Sequence, residues 1–391
     1  MKSNYSELGK YIQEVNVRNS NLTITNLLGV SMEKTFIPSV ANLNGVDLSI
    51  YKVLRKGQLA CKLMSVGRDE KLPVDLYKDE NPAIVSSAYY VFEPNNKEVL
   101  LPEYLMMWLC RPENDRYIGF ISGGDVRGGI SWDTFCSLPI KVPHPDKQRE
   151  IVKEYNTIQN RIALNQQLIQ KLEETAQAIY REWFVEFEFP NENGKPYKSN
   201  GGEMIWCEEF EREIPMGWQL TNLGSISTIK AGGDKPKVFS ENITDKNKIP
   251  IYSNSSNNEG LFGYTNKAVI EKSSITISAR GAIIGYTVLR TTPFVPIVRL
   301  IVVIPNEDYL LNYIYETIKN NKYDDSGSAQ GQLTIPDVYS FEIMLPTSEV
   351  LKKYQKIALV ISNMIETKTK ENQKLTELKA LLLSKLATIE K

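Results

Sequence analysis

The stretch KQREIVKEYNTIQNRIALNQQLIQKLEETAQAIYREWFVEFE, residues 147–188, contains neither glycine nor proline. Its apolar side chains fall at Ile151, Tyr155, Ile158, Ile162, Ile169, Leu172, Ala176, Ile179 and Trp183, with Asn165 in the one gap. Steps that alternate between four and three residues make a heptad seam, the pattern of a coiled coil. At 1.5 Å per residue, roughly 40 residues form a rod of about 60 Å. A second stretch from Leu351 to Lys391 repeats the pattern at Ile357, Ile361, Met364, Leu375, Leu378, Leu382 and Ile389, with Lys368, Glu371 and Lys385 on the same seam. Polar residues in a seam cost stability and fix register and orientation. One stretch leaves the first globular part and the other closes the sequence. The expectation is therefore that the two helices pair with each other, antiparallel. The alternative is that each lies along its own domain.

Working outward from the helices, the two globular parts match each other in six segments taken in one order. Leu8-Gly9 and Leu223-Gly224 each precede a short alternating run. RKGQLACKL (55–63) matches EKSSITISA (271–279), and SSAYYVFEPN (86–95) matches VRLIVVIPN (298–306). These read as strands closed by turns. Short helices follow, PEYLMMWLC and LNYIYETIK, with Tyr104 aligned to Tyr313. Next come the glycine-rich loops ISGGDVRGGIS (121–131) and DSGSAQGQLT (325–334), and last the strands LPIKVPHP and FEIMLPTS, with Ile140 aligned to Ile343. Six matches in one order indicate a duplicated fold whose surfaces have diverged. The expected class is α/β (α+β): two pseudo-twofold-related domains separated by two long antiparallel coiled-coil helices. The expected boundaries are a first domain at 1–146, a central helical spacer at 147–188, a linker at 189–216, a second domain at 217–348 and a C-terminal helical spacer at 349–391.

Composition narrows the function. Of 391 residues, 42% are apolar and 24% charged, which are globular values. No window approaches 18 consecutive apolar residues, so no membrane partner is expected. The opening MKSNYSELGKYIQEVN lacks the apolar core of a signal peptide, and a cytoplasmic location is expected. Cys61, Cys110, Cys136 and Cys207 are too scattered for a zinc site and read as reduced thiols. The single histidine, His144, lies between two prolines and reads as an exposed loop residue.

Catalytic patterns are missing. There is no phosphate-binding loop of the G-x-x-x-x-G-K-[ST] kind and no G-x-G-x-x-G after a strand. Asn81-Pro82 is followed by Ala83 and Ile84, not by the aromatic that would stack on a flipped base. Pro336-Asp337 with Glu342-Ile343-Met344 has methionine where a magnesium nuclease needs lysine. A binder, not an enzyme, is expected, with no catalytic residue, metal or cofactor in this chain. The net charge is −1, whereas phosphate neutralisation favours a basic excess. Either the chain does not bind DNA alone, or its cations gather on one face, or a partner supplies the positive field.

The plan as a whole resembles the specificity subunits of type I restriction–modification systems. HPDKQREIVKEYNTI and KKYQKIALVISNMI look like that family's passage from last strand into helix. IALNQQLIQKLEETAQAIYREWFVEF and ENQKLTELKALLLSKL look like its central and C-terminal helical regions, and KGQLACKL and KSSITISARGAIIG like the strand and turn of its target-recognition domains. The second half enters through IPMGWQLTNLG, whereas the first has only MKSNYSELG. The resemblance implies a non-catalytic subunit in which each domain reads one half of a bipartite, asymmetric site on double-stranded DNA. The helices would set the spacing and dock two methyltransferase (M) subunits, which restriction/translocase (R) subunits join. S-adenosylmethionine, ATP and magnesium would belong to those partners. Side chains suited to base edges make Lys62, Arg68 and Arg127 the DNA-binding candidates in the first half. Lys230, Arg280, Gln330 and Gln332 are those in the second. Tyr180, Trp183 and Phe184 are candidates for methyltransferase contacts, or for packing within this chain. A specificity subunit of a related DNA-modifying defence system, or a two-domain protein-binding scaffold, stands as the alternative.

Overall fold

The computed structural model describes residues 5–39, 46–64, 66–122, 128–320 and 332–388, without the side chains of Arg68 and Ala282. The chain is mixed α/β and forms two compact units, Met1–Gln166 with Lys370–Lys391, and Gln167–Thr369. The dividing line runs through both long helices, Pro145–Tyr180 and Ser348–Lys385, twenty-two residues into each.

In the first unit, the short strand Leu59–Cys61 is buried on both faces and lies inside a four-stranded antiparallel sheet. The order is Ile12–Glu14, Tyr90–Pro94, Leu59–Cys61, Val74–Leu76. A second sheet sets Leu27–Val30 between Phe36–Pro38, antiparallel to it, and Ala83–Val85, parallel to it, with Lys52–Leu54 beyond. Ser6–Glu7 pairs with Pro139–Ile140. The helix Pro102–Leu109 opens on proline, whose missing N–H costs nothing at that position. It buries Tyr104, Leu105 and Trp108 against Leu59, Phe92 and Ile140. Its polar atoms are satisfied: the Tyr104 hydroxyl donates to the Lys141 carbonyl at 2.9 Å, and Trp108 Nε1 donates to the Pro139 carbonyl at 3.1 Å. Gln148, fully buried, accepts from the Leu101 N–H and donates to the carbonyls of Val99 and Pro143. It thereby ties the start of the long helix to its domain. Leu383, near the end of the other long helix, and Leu386, in the turn that follows it, complete this core.

The second unit repeats the order of the first antiparallel sheet, with three strands in place of four in its second sheet. Its antiparallel sheet runs Ser227–Ala231, Ile301–Pro305, Ser274–Ile277, Thr287–Arg290. Ile249–Tyr252 pairs antiparallel with Leu261–Thr265 and parallel with Val295–Pro296, and Gln219–Asn222 pairs with Glu342–Leu345. Tyr313, on the helix Leu311–Asn320, hydrogen-bonds to the Met344 carbonyl as Tyr104 does to Lys141. The duplication expected from six matched segments is thus present as one sheet order used twice. Segment 189–216, expected as a linker, is folded onto the second core. It contains the hairpin Met204–Cys207 with Arg212–Pro215, and Phe189 stacks between Tyr197 and Trp218 at 4.5 and 5.3 Å. Aromatic area in that segment supplies a hydrophobic anchor that its glycines and asparagines do not suggest.

The long helices pair within each unit. In the first unit, Gln159 meets Lys379, Arg161 Nε donates to Glu371 at 2.7 Å, and Asn165 Nδ2 donates to Asn372 Oδ1 at 2.9 Å. Rising numbers on one helix meet falling numbers on the other, so the pair is antiparallel. In the second unit, Trp183 and Phe184 meet Tyr354 in the same sense. The first helix buries the expected seam most deeply. The second does so only in part: Ile361 is buried, Ile357, Met364 and Leu378 are exposed, and Leu351, Tyr354 and Ala358, off the expected seam, are buried. A strict 3.5 repeat drifts around a 3.6-residue helix, and Leu351 and Tyr354 turn the helix start onto its own domain core.

Asn165 is 2% exposed, so its amide depends on its partner. Replacing Asn165 with leucine strands the half-buried Asn372 amide and is expected to cost about 1–2 kcal/mol. The double replacement with Asn372→Leu should recover that loss. A double-mutant cycle by chemical unfolding measures the coupling, and a single variant as stable as the natural chain would refute it.

Candidate nucleic-acid interface

In the second unit the central strand Ser274–Ile277 runs on through Ser278 and Ala279 to Arg280. Four other segments are stitched to this end of the sheet, its rim, by hydrogen bonds. The Ala279 carbonyl accepts from the Leu333 N–H, and Arg280 bridges to Gln332. The Ala279 N–H donates to Asn254 Oδ1, and Asn254 Nδ2 donates to the Val298 carbonyl. The N–H groups of Val298 and Arg299 donate to the carbonyls of Gly233 and Gly232, while the Gly232 N–H donates to the Leu300 carbonyl. A Cβ on Gly232 would lie 2.8 Å from Ile297 N, so only glycine allows this approach. Lys230 stands two residues earlier, in register with Val302. Lys230, Arg280, Arg299 and Gln332 are each exposed.

The turn at Val298–Arg299 is strained. Both residues are left-handed, φ +52° and +59°, and the Leu300 N–H closes the turn on the Ile297 carbonyl at 3.1 Å. This is the type I′ geometry that normally selects asparagine and glycine. A β-branched residue there is an outlier, and each such position costs on the order of 1–3 kcal/mol.

Charge is also unevenly distributed. Residues 227–300 carry ten Lys or Arg against five Asp or Glu, whereas residues 301–348 carry two against seven. The net charge of −1 for the whole chain therefore conceals a cationic part that holds Lys230, Arg280 and Arg299, which suits a polyanion.

In the first unit, Lys62 is half-buried and follows the central strand Leu59–Cys61. The Leu63 carbonyl accepts from the Ile130 N–H, as Ala279 does from Leu333. Gly129 passes so close that a Cβ would lie 2.8 Å from Leu63 O. The Gly67 N–H donates to the Gly128 carbonyl, which fixes the short helix Val66–Asp69 that carries Arg68 beside the returning chain. The Arg68 side chain, Arg127 and Gln330 lie outside the described residues. Where the second rim has Arg280, the first has exposed Met64, and the counterpart of Val298–Arg299 is Ser87–Ala88. Phe120, near the end of the helix Pro112–Ile121, is 82% exposed. One frame thus presents two chemically different surfaces.

Nothing in the sequence marks Arg299, Asn254 or Phe120. VPIVRLIVVIP reads as one continuous strand because its turn carries neither glycine nor asparagine. Asp337, in the near-match to a magnesium site, closes a capping box with Thr334.

Of the two roles expected for Tyr180, Trp183 and Phe184, methyltransferase contact or packing within this chain, their burial fits the second. All three are buried in the second core, with Phe184 ring centroids 4.7 Å from Tyr313 and 4.8 Å from Tyr354. Their apolar surface is consumed by this chain. The helices expose other apolar side chains instead. In the first unit, Leu378 and Leu381 line a groove with Ile158 and Leu382, flanked by Glu150 and Lys153. In the second unit, Leu168, Leu359, Val360 and Met364 are exposed. No described helix is long and apolar enough to cross a membrane.

A family model described as the type I restriction modification DNA specificity domain matches residues 76–174 and 215–380. The type I restriction enzyme HindI specificity subunit of Haemophilus influenzae is 24% identical across 94% of this chain and 93% of its own length. A putative type I specificity subunit of Mycoplasma pneumoniae is 34% identical across 39% of this chain and 44% of its own. The crystal structure of a type I restriction-modification system S subunit from M. genitalium has a TM-score of 0.61 at 16% identity, covering 98% of this chain and 95% of that one. At that identity the likeness is one of fold.

Proposed function

Because this chain belongs to the family of type I restriction–modification DNA specificity proteins, we propose that its two rims read the two halves of a split, asymmetric target on double-stranded DNA. The chain is a non-catalytic DNA specificity subunit, and the chemistry of modification and cleavage lies with its partners. The first domain, 1–146, contributes Lys62, Arg68 and Arg127. The second, 217–348, contributes Lys230, Arg280, Gln330 and Gln332. The observation that carries this reading is the pair of matching frames with unlike rims, since equal frames hold two readers alike while unlike side chains make the half-sites differ.

The helices set the interval between half-sites. Pro145–Tyr180 holds 36 residues, about 54 Å of helix, enough to hold two readers roughly one turn of DNA apart or more. Their exposed leucines and Met364, not the buried aromatics, dock two methyltransferase subunits, with restriction/translocase subunits joining that core. S-adenosylmethionine, ATP and magnesium belong to those partners, and the complex works in the cytoplasm. The uneven charge along the second repeat supports DNA over a purely protein-binding scaffold, which the net charge of −1 had favoured.

Two linked measurements test this. The chain should retain the cognate methyltransferase in a pull-down, and a host carrying both should show methylation at one split, asymmetric motif. If no methyltransferase is retained and deletion of this chain leaves host methylation unchanged, the assignment of partners and target is wrong.

A further inference from the structure

The second unit, Gln167–Thr369, contains five arginines, and three have partners within the protein. Arg181 Nε meets Glu186 at 3.0 Å. Arg212 lies 4.6 Å from the Phe187 ring centroid. Arg290 is buried between Glu259 and the face of Tyr252. Arg280 and Arg299 are exposed, and neither makes an ion pair or ring contact among the described residues.

These two are held differently. Arg280 precedes Gly281, whose φ of +74° begins a short 3-10 turn. Arg299 sits at the tip of a two-residue turn clamped on three sides. Gly232 and Gly233 bind its backbone from one strand, Asn254 binds the Val298 carbonyl, and Leu300 closes the turn. The base of its side chain is therefore fixed before any ligand arrives. The turn also holds valine and arginine where asparagine and glycine would be unstrained. Backbone strain that the surrounding structure enforces points to a demand on the side chain presented. A phosphate contact makes no such demand, because any flexible cation serves. A base edge does: guanine offers N7 and O6 to both arms of one guanidinium, and the fork must arrive in plane.

We propose that Arg299 is the guanine reader of the second half-site, donating two hydrogen bonds to N7 and O6 in the major groove, beside the DNA contacts of Lys230 and Arg280. This rests on the reading of the second repeat as a DNA-contacting domain. It adds a specificity-determining residue to that surface and a base for it to read.

The test uses the full chain with its cognate methyltransferase in a host that lacks the modification, with the methylated motif mapped by sequencing. Arg299→Ala and Arg299→Lys are compared with the natural chain. Lysine keeps the charge and loses the fork. Discrimination at one guanine of the second half-motif should fall by about tenfold to a hundredfold with alanine, and by a smaller factor with lysine. Every other position, including the whole first half, should be unchanged, which also reports an intact fold. An unaltered motif in both variants would overturn the proposal. So would full specificity with lysine and a uniform loss with alanine, the signature of a phosphate contact. Should alanine abolish the complex, the lysine variant decides between these outcomes. If the natural chain directs no methylation to any split motif, it is the domain reading that fails, and this appears before any variant is made.

Discussion

A chain whose residues 1–146 are exchanged for those of a relative with a different target should direct methylation to a motif with one new half and one old half, at the original spacing. The expected change at the exchanged half is complete, because every candidate reader there comes from the inserted domain. Spacing should persist because the long helices, apart from the first two residues of Pro145–Tyr180, are untouched. Stability sets the condition for success. The first core closes on Ile151 of the first helix, on Leu383 of the second and on Leu386 in the turn that follows it. Tyr104 and Trp108 bond to carbonyls at 139–141 on the strand before the exchange point. A donor that keeps Tyr104, Trp108 and Ile140 keeps these contacts. Sequencing of methylated host DNA gives the result. A change in both halves, or in the interval between them, would contradict the independence of the two readers.

Replacing Phe184 with alanine should destabilise the second unit by about 3–5 kcal/mol. The ring is 5% exposed and touches Tyr180, Trp183, Trp218, Tyr313 and Tyr354, with Tyr354 edge-on at 83°. Its removal leaves a cavity among large, rigid neighbours that cannot collapse into it. Denaturant unfolding followed by near-ultraviolet circular dichroism measures the loss. The alternative, an anchor for a methyltransferase subunit, predicts a chain of unchanged stability that is no longer retained in the pull-down. That outcome would restore the partner role that the burial of Phe184 removes.

These two variants mark what the sequence reveals and what it hides. The long helices are legible because a period of 3.5 repeated over forty residues has no common alternative. The repeat is legible because strand, turn and helix signals recur in one order. Phe184 shows one limit: hydrophobic patterning says that a ring will be covered, not by which surface. Ile357 and Met364 show another. Two apolar lines wind around the second helix, and only the tertiary contacts of Leu351 and Tyr354 choose between them. The rim is the least legible part. Lys230, Arg280 and Gln332 are accessible to guesswork because glycines flank them. Arg299 is hidden because its turn breaks the composition rule by which turns are recognised. Asn254 is one polar residue among many in SNSSNNEG, and only its two hydrogen bonds single it out.

The unit boundaries, twenty-two residues into each long helix, have a consequence for the chain's ancestry. Neither repeat is finished by its own helix. The first is closed by Leu383 and Leu386, encoded after the second, and the second by Phe184, encoded before it. A half-length precursor would carry an open core and, at its far end, a plug that fits the same opening in a sibling copy. Two such molecules would close on each other, as exchange of an identical element makes dimers. Fusing two such genes would turn an encounter that depends on concentration into a folding step. It also removes the requirement that both ends be the same, so inheritance can alter one reader while the other stays as it was.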